Sequence, residues 1–397
     1  MTMLRGLQFN LMIGAVLPQA VPSEIADALL SAQVTQATEG KSGFSLTFGF
    51  GKGSALRRRF EQGLFDPPNR MVLYVTVNGT PQVLMDGVIT RHEVAVSNDP
   101  GQSRLTVTGE DLTRLLDLID FSWLIKYPAM PAEARVALIL AKYLPLGMLP
   151  MVLPSVNIDI PLPTERIPSH IGTDLQYVTY LANSVGYVFY VEPGPLPGVS
   201  IAYWGPEIKI SEPQPALIVN SDAGSNVDSL NFGFDGFSKT LYVMMIRPEQ
   251  VPVPIPIPIP DTNPLSPPLG ARPPFPLRVE PLRGVAHYNP VQALMVGLAK
   301  AARAAEVISC TGSLNVLRYG RVLKPRRLVE VRGAGLPHDG LYFVRSVTNQ
   351  IKPGEFKQNF TLSRNAFEPL SLPAVMLGGS AGTGLPAAGA RPPGGLF

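Results

Sequence analysis

The chain has 397 residues, with 33 Lys+Arg against 30 Asp+Glu and a formal net charge of +3. That length provides for two to four domains at roughly 100–200 residues each, and 45% apolar residues exclude wholesale disorder. The 37 glycines show no three-residue period, which excludes collagen, and Cys310 is the only cysteine, which excludes a disulfide framework and a multi-cysteine metal site.

The first 110 residues read as antiparallel β structure. Leu7–Val16 is apolar but alternates with Gln8 and Asn10, and only Arg5 is basic upstream. This predicts a first strand rather than a signal peptide. Ala28–Thr38 and Phe44–Phe50 are short alternating runs. Ser54–Gly63, with Arg57, Arg58 and Arg59, reads as a short helix or a loop. Met71–Val77 alternates, Asn78-Gly79 marks a two-residue hairpin, and Gln82–Val96 continues as a long strand. Asn98-Asp99-Pro100-Gly101 turns the chain into a returning strand at Arg104–Thr108.

The period then changes. Leu112, Leu115, Leu116 and Ile119 fall at helical spacing, with Asp111 as N-cap. Pro131–Leu144 predicts a second helix with Pro131 in its first turn. Thr173–Val185 predicts a third, with Asp174 in its first turn and Gly186 as the C-terminal glycine. Tyr187–Val191 follows as a strand, so residues 111–205 read as a mixed α/β domain.

From Ala216 the chain turns β again, through Leu241–Ile246. Val251–Pro260 alternates proline with aliphatic residues, so it is no central strand, and polyproline II is expected. A stiff connector or an arm laid on a neighbour is expected of it, ahead of a Pro-rich ligand for a recognition domain. Asn289–Ile308 predicts an Ala-rich helix with Pro290 near its start, and residues 314–364 return to strands and turns. Glu368–Phe397 is Gly/Pro/Ala-rich and forms no core.

Only 16% of residues are charged, and 42 are proline. Average soluble domains carry roughly 25% charged residues and about 5% proline. Either long proline-containing loops or burial inside an assembly accounts for this. Charge is uneven: residues 271–397 hold 16 Lys+Arg and 6 Asp+Glu, leaving 17 and 24 for residues 1–270. His92, His170, His287 and His338 show no ligand spacing, so neither metal nor cofactor is expected. No run of about 18 apolar residues occurs, so no membrane-spanning helix is expected.

The chain resembles itself. Leu46-Thr47-Phe48-Gly49-Phe50 reappears as Leu230-Asn231-Phe232-Gly233-Phe234, and Gly87–Gly109 resembles Gly340–Arg364, each with a Pro-Gly turn. Two related β-domains separated by the α/β domain is the favoured reading, against chance likeness among antiparallel strands.

Chemical motifs are absent. Gly49-Phe50-Gly51-Lys52-Gly53-Ser54 fails as a phosphate loop because Gly53 separates Lys52 from Ser54. No G-x-S-x-G elbow at a strand-to-helix turn and no H-E-x-x-H occurs. Glu110 and Asp111 are adjacent, and adjacent side chains at a strand-to-helix junction point apart, which spoils a carboxylate pair. Arg57, Arg58 and Arg59, with Lys324, Arg326 and Arg327, are the interface candidates. They contact a neighbouring ring or adjacent chains, line a lumen, or form solvated surface; no base-reading motif is present.

Two segments carry a family resemblance. Thr173-Asp174-Leu175, Leu181-Ala182 and Gly186-Tyr187-Val188-Phe189-Tyr190 resemble a segment of phage tail hub proteins. Gly340-Leu341-Tyr342-Phe343-Val344, Gly354 and Phe360-Thr361-Leu362-Ser363-Arg364-Asn365 resemble the closing strands of the late-control D group. The resemblance covers most of residues 1–367 in domain order; the Pro-rich insert and the tail lie outside the common pattern.

The resemblance implies the central hub of a contractile-tail baseplate. The fold class is α+β: two related tube-like antiparallel β-barrel domains, a mixed α/β domain between them, and an inserted Pro-rich and helical segment. The expected division is 1–110 first barrel, 111–205 α/β domain, 206–250 with 309–367 second barrel, 251–308 insertion, and 368–397 tail. The hub is a homotrimer whose six barrels adapt a sixfold tail tube to a threefold spike. It is no enzyme and has no cofactor. Its partners are the tail tube ring, a separate spike protein, other baseplate proteins and the tape measure protein, with DNA only as passing cargo. Its place is the virion tail baseplate, assembled in the host cytoplasm. About 30 residues follow the second barrel, too few for a fused spike, and the tail is expected to dock on the spike or a neighbouring hub. The rival readings are a tail-associated peptidoglycan hydrolase, whose site could lie only in residues 111–205, and a hexameric tube or distal-tail ring subunit.

Overall fold

A computed structural model of the chain describes residues 7–370 apart from 100, 123, 157–159, 162, 163, 165, 166, 247–254, 286 and 287. The first part builds strands β1 (Leu7–Gly14), β2 (Gln19–Ala20), β3 (Leu29–Ala37), β4 (Gly43–Gly49), β5 (Arg70–Val77), β6 (Thr80–Ala95) and β7 (Arg104–Asp111), with short helices α1 (Ser23–Asp27) and α2 (Ala55–Glu61). They pair antiparallel in the order β3-β4-β7-β6-β5-β1. In β4 every second residue is buried, which sends Phe44, Leu46 and Phe48 into the core. Full burial of each contributes about 1.5–3 kcal/mol. Asn78 and Gly79 both take positive φ (49° and 80°), as a two-residue hairpin turn demands.

The middle part carries α3 (Thr113–Leu116), α4 (Ala132–Ala141), β8 (Met148–Val152), α5 (Asp174–Ser184), β9 (Val188–Pro193) and β10 (Ser200–Gly205). Its small sheet runs β8-β10-β9, with β8 parallel and β9 antiparallel to β10. Leu116, Val136, Ile139, Tyr177, Val178 and Trp204 form its core. The helix expected across Leu112–Ile119 stops after one turn. Asp117 accepts the Thr173 hydroxyl at 2.8 Å, which ties the chain to the start of α5, and Ile119 is exposed. Pro131 is the N-cap of α4 rather than a residue of its first turn. α5 opens on a reciprocal cap between Thr173 and Gln176 and is followed by Gly186 at φ 74°.

The last part holds β11 (Gln214–Ile218), β12 (Ser229–Phe234), β13 (Thr240–Ile246), β14 (Ile255–Pro258), β15 (Arg278–Pro281), α6 (Pro290–Ala304), β16 (Ile308–Asn315), α7 (Val316–Tyr319), β17 (Leu328–Arg332), β18 (Gly340–Lys352) and β19 (Glu355–Arg364). Pairing runs β12-β16-β19-β18-β17-β11. This is the path of the first array, strand for strand: β12 stands where β3 stands, β16 for β4, β19 for β7, β18 for β6, β17 for β5 and β11 for β1. Helices α2 and α7 fall at the same point of each path. One pairing differs in sense, since β11 runs parallel to β17 whereas β1 is antiparallel to β5.

That topology corrects half of the sequence repeat. The hairpin β6–β7 does correspond to β18–β19. The segment Leu46–Phe50 lies in and just after β4, whose counterpart is β16, whereas Leu230–Phe234 lies in β12, the counterpart of β3. The two phenylalanine-glycine runs are alike because half-buried strands alternate alike.

β18 is shared between the arrays. Its first residues, Gly340–Phe343, pair with β17, and Ser346–Ile351 pair antiparallel with β3. The two arrays thereby form one 13-stranded sheet over a common core. Between β12 and β16 the chain builds a separate sheet, β14-β13-β15, with α6 packed on it through Met244, Ile259, Leu282, Ala293 and Ala301. β13 pairs only within this sheet, so the inserted unit begins directly after β12. The polyproline II expectation is corrected for Ile255–Pro258, which pairs with β13 as an edge strand. An edge needs ladder N–H groups on one side only, and the isoleucines retain theirs. Residues 251–254 and the tail from 371 lie outside the described residues.

Candidate functional site

The interface candidates fall in two places. α2 is capped by Ser54, whose hydroxyl accepts from Arg57 N at 3.2 Å, and is anchored by buried Leu56. That orientation leaves Arg57, Arg58 and Arg59 exposed. Arg57 pairs with Glu61 at 3.2 Å, and Arg59 donates to Gln62 at 3.2 Å. Such an exposed pair is worth about 0.3–0.5 kcal/mol and leaves the cationic face available.

Lys324 and Arg327 are exposed, and the Lys324 backbone is held by Gln214 through two hydrogen bonds, at 2.8 and 2.9 Å. Arg326 behaves differently. Its backbone sits at φ 59°, its guanidinium lies 4.0 Å from the Tyr190 ring centroid, and Nη2 donates to Ala37 O at 2.6 Å. Burial lowers its pKa from the usual arginine value, and it raises the pKa of Tyr190 beneath it. Arg326 thus joins β3, β9 and the second array from within. Three basic residues set around Pro325 carry in the sequence no sign of which one turns inward.

Two joints escaped sequence reasoning. Arg70 and Asp86 form a fully buried bidentate pair at 2.7 and 2.5 Å. Arg70 also donates to Leu146 O at 2.6 Å and Gly198 O at 2.9 Å, and Ser200 donates to Asp86 at 2.9 Å. The pair fastens the first array to the α/β unit. The second joint gathers Glu207, Lys209, Arg303, Glu306 and Arg345. Arg345 reaches Glu306 at 2.8 Å, Glu207 at 3.3 Å and Glu39 at 3.4 Å. Burial alone would raise Glu207, but Lys209, Arg345 and Arg303 outweigh it and hold its carboxyl below the usual range. These residues are scattered from 39 to 345, so no local spacing announces them.

The α/β unit contains the most acid–base-like cluster. Asp174 receives Lys142 Nζ at 2.6 Å and the Tyr143 hydroxyl at 2.7 Å, and His170 Nδ1 lies 2.8 Å from the Tyr127 hydroxyl. Burial pushes Tyr127 up to about 12 and lowers His170. His170 and Asp174 are 1% and 0% exposed, so no substrate reaches them. The cluster ties α4, α5 and the loop before α5 together. A cavity of about 210 Å³ between β1, α1 and the β18–β19 hairpin is lined mainly by Phe9, Leu11, Val21, Leu29 and Ile351, with Asp27 as its one acid. Among the described residues no group of His, Cys, Asp and Glu could hold a metal ion, and no helix is long and apolar enough to cross a membrane.

No family model matches the sequence, and no curated protein matches it. Solved structures do match. A tail protein from Neisseria meningitidis MC58 is 13% identical with a TM-score of 0.58, covering 90% of this chain and 97% of its own. The 43 kDa tail protein of prophage MuSo2 from Shewanella oneidensis is 12% identical with a TM-score of 0.57, covering 91% and 100%. A type VI secretion component from E. coli, described as similar to T4 bacteriophage tail proteins gp27 and gp5, is 12% identical with a TM-score of 0.50, covering 87% and 77%. The chain has the fold of these phage-tail and secretion-system proteins, a mostly antiparallel β fold with few helices.

Proposed function

We propose that the chain is the structural central hub of a contractile-tail baseplate, a trimer that adapts a sixfold tail tube to a threefold spike. The observation that carries this reading is the duplicated pairing order, with the two arrays joined edge to edge through β3 and β18. One chain then offers two similar lobes, and three chains offer six. The division proposed is a first tube-like barrel up to β7, an α/β domain to residue 205, a second barrel from β11 and β12 with β16–β19, and an insertion at 235–307 within it. The likeness in fold to two tail proteins and a type VI secretion component favours a tail or baseplate setting. The exposed Arg57–Arg59 face would contact the tube ring, and a separate spike, other baseplate proteins and the tape measure protein would complete the assembly. The burial of the His170–Asp174 cluster weighs against a hydrolase.

Native mass and negative-stain imaging of the purified chain test the reading. A trimeric ring with six similar lobes and an open centre is the expected result. A hexamer would make it a tube or distal-tail subunit, and a cell-wall-cleaving monomer in zymography would overturn it.

A further inference from the structure

The β3·β18 joint is a template that the chain leaves half used. In the run β12-β16-β19-β18-β3-β4-β7-β6, the outer edge of β12 has no strand partner among the described residues, and neither does β6 beyond Ile89 on the side away from β7. By position in the two arrays, β6 is the counterpart of β18 and β12 the counterpart of β3. The free edges are therefore the same two edges that already pair once inside the chain. They stand at opposite ends of eight strands, about 34 Å apart along the sheet at 4.8 Å per strand. One chain does not bring them together.

We propose that β6 pairs through residues 91–96 with β12 of a second copy of this chain, repeating the internal joint between copies. This rests on the hub reading above and names its contact. The register follows from the bulges. β6 has its irregularity against β7 between Ile89 and Arg91, and β18 has its own against β19 between Val344 and Ser346, so Arg91 corresponds to Ser346. Arg91 pairs Thr108, which pairs Ser45, which pairs Gln33; Ser346 pairs Thr361, which pairs Thr311, which pairs Asn231. Gln33 thus corresponds to Asn231. Inside the chain Ser346 pairs Ala37 and Gln350 pairs Gln33. Between copies Arg91 then meets Asp235, His92 meets Phe234, Val94 meets Phe232, Ala95 meets Asn231 and Val96 meets Leu230.

The chemistry of that register is complementary, although the register came from the backbone alone. Val94, Val96 and Phe234 are 37%, 80% and 51% exposed, and each receives an apolar or aromatic residue opposite. Arg91 is exposed, and its pair with Glu93 of its own strand is a weak surface contact that can be exchanged for Asp235. An open apolar edge is an aggregation hazard unless something covers it, and each contact between copies covers one edge of each. The contact is head-to-tail, so it closes only as a ring.

Cysteine cross-linking tests it. Ala95 and Asn231 are both exposed, and directly opposed Cβ atoms in an antiparallel pair lie about 4.5–5.5 Å apart, within disulfide reach after slight adjustment. Ala95→Cys chains mixed with Asn231→Cys chains under mild oxidation should give a mixed covalent dimer, while neither variant alone does. The double variant should give a covalent ladder ending at three chains. Arg91→Asp should weaken association about tenfold or more, and adding Asp235→Arg should restore it. A trimer by native mass that never cross-links would overturn the edge pairing and leave the hub reading standing. A chain that stays monomeric at every concentration and never cross-links would overturn both.

Discussion

Replacing Arg70 by methionine removes the cation from the joint between the first array and the α/β unit. Asp86, 2% exposed, would keep only the Ser200 hydroxyl, and the carbonyls of Leu146 and Gly198 would lose their donor. Breaking a buried ion pair from one side costs about 3–5 kcal/mol, because the remaining charge is stranded away from water. Arg70→Met is therefore expected to cost about 4 kcal/mol. The double variant Arg70→Met/Asp86→Leu removes the stranded charge and leaves only neutral groups without these partners, chiefly the Leu146 and Gly198 carbonyls and the Ser200 hydroxyl, so it should recover about half of that loss. Arg57→Ala sets the scale, since the exposed Arg57–Glu61 pair contributes about 0.3–0.5 kcal/mol. Urea unfolding followed by far-UV circular dichroism and by fluorescence reads all three, because Trp204 is fully buried in the α/β unit. In Arg70→Met the fluorescence and dichroism transitions should separate as the two units unfold independently. A cost below about 1 kcal/mol, or a double variant as unstable as the single one, would refute the argument.

Three further outcomes follow from local geometry and charge. A Cβ at Gly109 would lie 2.2 Å from both Val88 O and the Phe44 ring, so Gly109→Ala should lower stability by about 1–3 kcal/mol or more in thermal unfolding; an unchanged midpoint would mean β4 and β7 do not pack so closely. Cys310 is fully buried and its thiol is pushed up to about 12, so a thiol reagent at pH 8 should label it only as fast as the chain opens; immediate labelling of the native protein would contradict the burial. Glu207 sits below its usual range, so its contribution is complete above about pH 4.5 and is lost as pH falls through the lowered folded value. Glu207→Gln should lower stability at neutral pH and flatten the acid limb of stability against pH; superimposable limbs would sink that assignment.

Local chemistry was legible and distant chemistry was not. Thr173, Gln176 and Gly186 announce α5 because a helix cap is written within a few residues. Asn78-Gly79 announces its hairpin for the same reason. The stop after Leu116 was not visible, because it depends on Thr173 donating to Asp117 across 56 positions. The edge strand at Ile255–Pro258 was hidden by proline, whose prohibition applies to central strands alone. The Phe-Gly repeat misled because strand alternation records burial, not position in a sheet. Of the six interface candidates, Arg326 is distinguished only by Tyr190 and Ala37, which come to it from other units.

The β3·β18 joint also has a time cost. Thr35 and Thr348, whose hydroxyls lie 3.1 Å apart across it, are separated by 313 positions. A ribosome adding roughly 5–20 residues per second needs about 16–60 s to cover that span. During that interval the N-terminal array can fold but its β3 edge waits unfilled. Gln33, Thr35 and Gln36 on that strand supply side chains that water can solvate while the edge is open. Nascent chains should therefore be most prone to mispairing with one another in this window, and least so once residue 351 has emerged.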